Sequence, residues 1–166
     1  MNARRVLFSL SAVLVLWSAT ATAVHAQTQF IPKPRLKIGA FFPSDSNLKD
    51  ATSSTWIKVG ADIGIPIVGL RAGIDYAFDG SNRIVPITIT QIFQPSAVVV
   101  KSPVYGGIGI GMWNAHIAGE SATRFGLRGV VGVEFAGYLA EANYDLVGSV
   151  SGRRMDGLSL MVGKKF

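Results

Sequence analysis

Residues 70–78 read LRAGIDYAF, and their alternation decides the fold. Leu70, Ala72, Ile74, Tyr76 and Phe78 fall on one parity, Arg71, Gly73, Asp75 and Ala77 on the other. Successive side chains of a β-strand point to opposite faces, so this stretch is a strand with one apolar face and one polar or small face. The last nine residues, LSLMVGKKF, repeat the pattern. Leu158, Leu160, Val162 and Phe166 share a face, and the chain ends on Phe166.

The same period runs between these two stretches and before them. It predicts eight strands: from Arg35 to Phe42, Trp56 to Ile63, Val68 to Phe78, Val85 to Thr90, Val104 to Met112, Arg124 to Phe135, Tyr138 to Leu146, and Leu158 to Phe166. The parity of Val98–Val100 allows the fifth to begin near Ala97, with Pro103 at a bulge or edge. No helical period of 3.6 competes. Connections alternate in length. Pro43–Ser54, Asn114–Thr123 and Val147–Asp156 read as longer polar loops. Ile65-Pro66 and Ala136-Gly137 read as tight turns. Asp79–Arg83 is intermediate and Gln94–Ser96 ambiguous. That is the layout of an antiparallel meander with long loops at one end.

The 166 residues suit one domain preceded by a leader. Arg4 and Arg5, an apolar run from Val6 to Trp17 and the small residues up to Ala26 have the layout of a secretory signal peptide. Residues 1–26 are therefore read as cleavable, 27–34 as a short lead-in and 35–166 as the folded body. Loss of the two arginines lowers the formal charge from +6 to +4. No Lys/Arg run of the nucleic-acid-binding kind is present. There is no cysteine, so no disulfide staples an exported domain. The mean hydropathy is +0.37, and 19 glycines exceed the average usage of about 7%.

The direction of the faces separates two architectures. A soluble barrel that binds an apolar ligand turns its apolar face inward; a transmembrane barrel turns it outward. Lys37, Lys58, Asp62, Arg71, Asp75, Arg124, Arg128, Glu134, Glu141 and Asp145 all keep to the polar face, and in these runs only Lys164 breaks the rule. Such strictness suits a lipid-facing wall, where Arg or Lys at the midplane costs about 2–4 kcal/mol. The strands approach the 9–11 residues that a tilted membrane strand needs. Glycine mixed with opposite charges suits the lumen of an eight-stranded barrel, which side chains just fill. Lys58, Asp62, Arg71, Asp75, Arg124, Arg128, Glu134, Glu141 and Asp145 are expected to form structural ion pairs there, Lys58 with Asp62 and Arg71 with Asp75. Phe42, Trp56, Phe78, Trp113, Tyr138 and Phe166, at strand ends, are expected in interfacial girdles. The expected fold is all-β: a closed eight-stranded antiparallel up-and-down transmembrane barrel.

The leader, the KIGAFFPSDS start, the YGGIGIGMW strand and the terminal Phe166 resemble the small eight-stranded bacterial outer-membrane barrels, the outer membrane protein X, W and A barrel superfamily. The resemblance runs from about Arg35 to Phe166. It implies export to the outer membrane, lipid as the surrounding partner, a monomer, and recognition of the last strand by the barrel-assembly machinery. Leu158, Leu160, Val162 and Phe166 match that assembly signal; Lys164 departs from it. Envelope, adhesion or small-solute roles follow from the resemblance alone.

Chemistry is sparse. His116, with Glu120 and Ser121 in HIAGES, is the one histidine after the leader. It invites comparison with lipid A-modifying barrel enzymes, but the spacing does not favour a nucleophile in reach of its base. One histidine and no cysteine leave no metal site. GGIGIGMW lacks the spacing of a phosphate loop. The expectation is a non-catalytic protein without a cofactor. A secreted soluble barrel or a His116-dependent lipid-modifying enzyme are the alternatives.

Overall fold

The computed structural model describes residues 33–65, 69–94 and 103–166. The leader, most of the lead-in, the turn at Pro66, the start of the third predicted strand at Val68 and the Ala97–Val100 extension lie outside the described residues, as does most of the Gln94–Ser96 connection.

Eight antiparallel strands close into a barrel: β1 (Arg35–Pro43), β2 (Trp56–Gly64), β3 (Leu70–Asp79), β4 (Asn82–Phe93), β5 (Val104–Ile117), β6 (Glu120–Phe135), β7 (Tyr138–Val147) and β10 (Gly157–Lys165). Each pairs with its sequence neighbours, and β10 pairs back onto β1 from Arg35↔Lys165 to Pro43↔Gly157. Two small elements, the hairpin β8 (Ser149–Val150) and β9 (Arg153–Arg154) and the helix α1 (Ser46–Ala51), lie in connections at one end, here the loop end. The chain terminus, the turn at Ala136-Gly137 and Phe166, whose N–H donates to Pro34 O at 3.0 Å, lie at the other, the terminal end.

Two connections differ from expectation. Pro43–Ser54 is not all loop. Asp45 caps α1, its carboxylate accepting from the Asn47 N–H at 2.8 Å, and Leu48 is fully buried. Six residues are too few to show a 3.6 period above the surrounding polarity. Asn114–Thr123 is not a loop either. β5 and β6 continue through it to a two-residue turn, Ala118-Gly119, with both φ values positive (51° and 85°). That geometry matches the twist of the paired strands.

The strand alternation continues through the hairpin but its polarity inverts. Along the middle of β5, Ile108, Ile110 and Met112 face out and Gly109 and Gly111 face in. Past Met112, Asn114 and His116 face out while Trp113, Ala115 and Ile117 are buried. The inward residues at the loop end join Phe41, Leu48, Trp56, Ala77, Ile84, Val147, Val150 and Met155 in one apolar cluster. Trp56 and Trp113 are thus 1% exposed in the interior and do not belong to a girdle. Their parity, shared with Lys58 and Gly111, already placed them inward. Elsewhere the outer face is apolar around the whole wall: Ile38 on β1, Ile57 on β2, Ile74 on β3, Ile87 on β4, Ile110 on β5, Val131 on β6, Leu146 on β7 and Leu160 on β10 are all about half exposed or more.

Candidate functional site

Polar side chains gather in two places: the lumen, and the outer face of the β5–β6 hairpin. In the lumen, side chains from opposite walls meet because an eight-stranded barrel is narrow. Charges that enter such a space must pair there, since a lone buried charge is very costly.

They pair in two layers. Nearer the terminal end, Glu141 on β7 collects partners from three other strands: Lys37 Nζ at 2.8 Å, Arg71 at 2.7 Å, and the Tyr105 hydroxyl, which donates to it at 2.9 Å. Asp62 on β2 receives Arg35 at 2.6 Å, Lys37 at 2.9 Å and, more distantly, Arg71 at 3.7 Å. Nearer the loop end, Arg128 on β6 grips Asp145 with two hydrogen bonds (2.6 and 3.0 Å) and reaches across to Asp75 at 2.7 Å. Lys58 completes this layer, 3.3 Å from Asp75 and 3.7 Å from Asp145, and donates to Ser159 Oγ at 2.8 Å. Both oxygens of Asp145 and the forked guanidinium of Arg128 are used, the geometry in which an arginine–carboxylate pair is strongest.

Small residues make room for this packing. A Cβ on Gly132 would overlap the Tyr105 ring, and one on Gly60 would overlap the Asp75 carboxylate. The space left among Lys37, Arg71, Asp75, Arg128 and Glu141 is about 10 Å³, the lower limit for one water molecule. Above it the apolar cluster closes the loop end.

Most of the charged residues expected in the lumen are there: Lys58, Asp62, Arg71, Asp75, Arg128, Glu141 and Asp145 are all buried. The pairing differs. Lys58 and Asp62, like Arg71 and Asp75, stand four apart on one strand, and each reaches instead to other strands. Two residues lie elsewhere. Arg124 sits past the inversion, exposed, donating to the carbonyls of Ser149 and Thr123. Glu134 sits at the terminal rim with Lys165 at 2.9 Å. Arg35, Lys37, Tyr105 and Ser159 also join the network; of these only Lys37 is named on the polar face by the sequence reading, and none among its expected ion pairs. Their inward parity was the available signal.

Leu158, Leu160, Val162 and Phe166 stand on the outer face of β10, 38% to 59% exposed. Lys164 shares that face at the terminal rim. Its ammonium lies 5.7 Å from the Tyr138 ring centroid and 5.6 Å from that of Phe166, within the range of cation–π attraction. Because β4 starts earlier than predicted, a second charge, Arg83, also faces outward. It stands at the opposite rim, so the two outward charges bracket the apolar face.

On the hairpin the structure revises the spacing argument. His116 and Ser121 are cross-strand partners, and Nδ1 and Oγ are 2.8 Å apart. Among the described residues no carboxylate touches His116. Glu120 faces the other side, where it is bound by the Ser151 hydroxyl. The pair lacks the third group that orients a base. Among the described residues no three potential ligands come together to hold a metal.

No family model and no curated protein match this chain. Among solved structures it is similar to the crystal structure of Neisserial surface protein A, with a TM-score of 0.58 and 19% identity over 81% of this chain and 97% of that one. At that identity the likeness is one of fold: a closed eight-stranded antiparallel barrel, as the sequence resemblance to small outer-membrane barrels implied.

Proposed function

We propose that the protein is an integral outer-membrane barrel, exported by its leader, non-catalytic and monomeric, whose lumen is a structural core. It acts through its loop end, which faces outward from the cell, while the termini face the periplasm. The observation that carries this reading is the apolar outer wall. From Leu36 to Phe166, twenty-six large apolar side chains are exposed on the described strands and at the chain end. A soluble monomer rarely exposes an apolar patch beyond about 300–600 Å², and this wall encircles the barrel. On β6 it runs from Phe125 to Phe135. Ten residue steps at about 3.3 Å each, tilted near 40°, cover roughly 25 Å along the axis, the height of an outer-membrane apolar band. Aromatic residues stand at both limits: Phe125 and Tyr144 towards the loop end, Phe135, Tyr138 and Phe166 towards the terminal end.

The filled lumen argues against solute passage, and charges inside with apolar residues outside argue against a soluble ligand carrier. Fractionation is the decisive experiment. A heat-modifiable band in the outer membrane supports the proposal; recovery in the soluble periplasm overturns it. In planar bilayers the inserted protein is expected to show no steady conductance, and a stable open channel would overturn the structural-core reading of the lumen. Unchanged lipid A on deleting and restoring the protein, with wild type or with His116→Ala, is the outcome expected of a non-catalytic barrel.

A further inference from the structure

We infer that the outer face of β4–β6 at the loop rim is a seat for the phosphate-bearing headgroup of an anionic lipid, an inference that rests on the membrane reading above. Arg83, His116 and Ser121 lie in one row across three adjacent strands, since Arg83 pairs with His116 and His116 with Ser121. All three face outward, at the parity of Ile87, Met112 and Phe125, which stand below them on the same strands. The row therefore sits directly above the apolar wall, where a lipid headgroup would lie with its chains against that wall.

The chemistry of the row is donor-rich. Arg83 is exposed and has no ion pair among the described residues. Its planar guanidinium fits two oxygens of a phosphate. His116 and Ser121 share one hydrogen at 2.8 Å. If the hydroxyl donates, the far ring N–H of His116 remains to donate. If the ring donates, the hydroxyl hydrogen of Ser121 does. Either arrangement leaves one donor for an incoming oxygen. One step down, Asn114 donates to Thr123 at 3.1 Å and keeps the second hydrogen of its amide.

The row is also anchored from behind, and its own three residues include no acid. Asn82 Oδ1 accepts from the Ala118 N–H at 2.8 Å, tying the hairpin turn to β4. Ala115 and Ile117 anchor its inner side in the apolar cluster. Glu120, the nearest acid on the hairpin, is turned to that inner side and held by Ser151. Asp79, cross-strand from Asn82 beside Arg83, shares the inward parity of Asp75 and Ala77, so the outward row itself offers donors and holds no carboxylate.

The test uses the full mature chain in nanodiscs of phosphatidylcholine containing about one-tenth phosphatidylglycerol. Native mass spectrometry reads the anionic lipid retained on the protein, and ring NMR signals of His116 report the site. Wild type is expected to retain phosphatidylglycerol over phosphatidylcholine and to show a His116 shift on its addition. Arg83→Gln with His116→Gln should cut retention about tenfold, the loss of one charge-assisted contact. Arg83→Lys should restore part of it. Lys164→Gln, at the opposite rim, should leave it unchanged. Equal retention by wild type and the double variant overturns the inference, as does an equal loss with Lys164→Gln. Failure of the wild type to enter nanodiscs overturns the membrane reading itself, a different outcome from insertion without selectivity.

Discussion

The interior of this barrel is built in two contrasting ways. Through the middle of the wall it is filled with charge: Arg128, Lys58, Asp75, Asp145, Lys37, Arg71, Asp62 and Glu141, every one paired. At the loop end it is filled with Trp56, Trp113, Phe41, Leu48 and Met155, packed like the core of a water-soluble protein. The outside changes in the opposite sense over the same residues, from isoleucine and valine to Asn114, His116 and Ser121. On the membrane reading proposed above, the solvent around each level sets the polarity of both faces. Where the wall meets an apolar medium, polar side chains have only the lumen to go to. Where it projects into water, the ordinary rule of apolar inside returns. On that reading, the level at which β5 inverts, between Met112 and Trp113, is where the change of solvent falls within a single strand.

The strongest way to break the contrast is at Asp145. Asp145→Ala strips Arg128 of its bidentate partner and Lys58 of one of two carboxylates. Removing one member of a buried pair costs about 3–5 kcal/mol. Urea unfolding of the refolded barrel in detergent should show that loss; a shift below about 1 kcal/mol would mean that water solvates the lumen and that the charges are not a core. The cap should respond differently. Leu48→Ala removes a fully buried side chain from α1, for which about 2–4 kcal/mol is expected. Here the damage should be local: faster protease cleavage within residues 44–55, with the heat-modifiable band retained. Global unfolding would show that cap and wall form one cooperative unit.

The wall itself supplies a matched pair of smaller effects. On β6, Gly132 backs onto the Tyr105 ring while Gly129 has open space outside. Gly132→Ala should cost about 1–3 kcal/mol by overpacking. Gly129→Ala should be neutral or stabilise by about 0.5 kcal/mol, since alanine loses less backbone freedom on folding. Similar values at the two positions would contradict a tightly filled lumen. The smallest effect concerns pH and the cap. The backbone N–H of Arg154 donates to Asp45, and that bond, followed by the one from Asn47, holds the Asp45 carboxyl below the usual aspartate value. A lowered folded-state value stabilises above the ordinary aspartate range and is lost as pH falls through the folded value. Protease sensitivity of residues 44–55 should therefore rise in acid, and Asp45→Asn should flatten that pH profile.

How legible all this was depends on which physical signal each region carries. A strand whose two faces meet different surroundings announces itself by period two, so β1, β2, β3, β7 and β10 are readable within a residue or two at most ends. The extents of β4, β5 and β6 were not, because the reading tracked apolar residues on one parity. At the inversion that parity turns polar, and the Asn114–Thr123 segment looked like a loop although its backbone never leaves the sheet. The occupancy of the lumen was legible from parity alone. The partners were not, because contacts between β3 and β6 or β3 and β7 depend on barrel closure and shear, which no local pattern encodes. Trp56 and Trp113 show a different failure: residue type suggested a girdle, while position on the strand placed them inside.

The pairing of β1 with β10 has a consequence in time. Every other neighbouring pair of strands is close in sequence and can zip as soon as both are made. This one joins the two ends of the barrel sequence, so its contacts carry the largest loop-closure cost and are the slowest to form. Until it forms, β1 and β10 each present an unpaired row of N–H and C=O groups, and the lumen stands open along a seam. Lys37 cannot reach Glu141, nor Lys58 reach Ser159, across a gap that wide. The charged core and the β1–β10 seam must therefore form together, which makes closure a single late event with no stable open-sheet precursor.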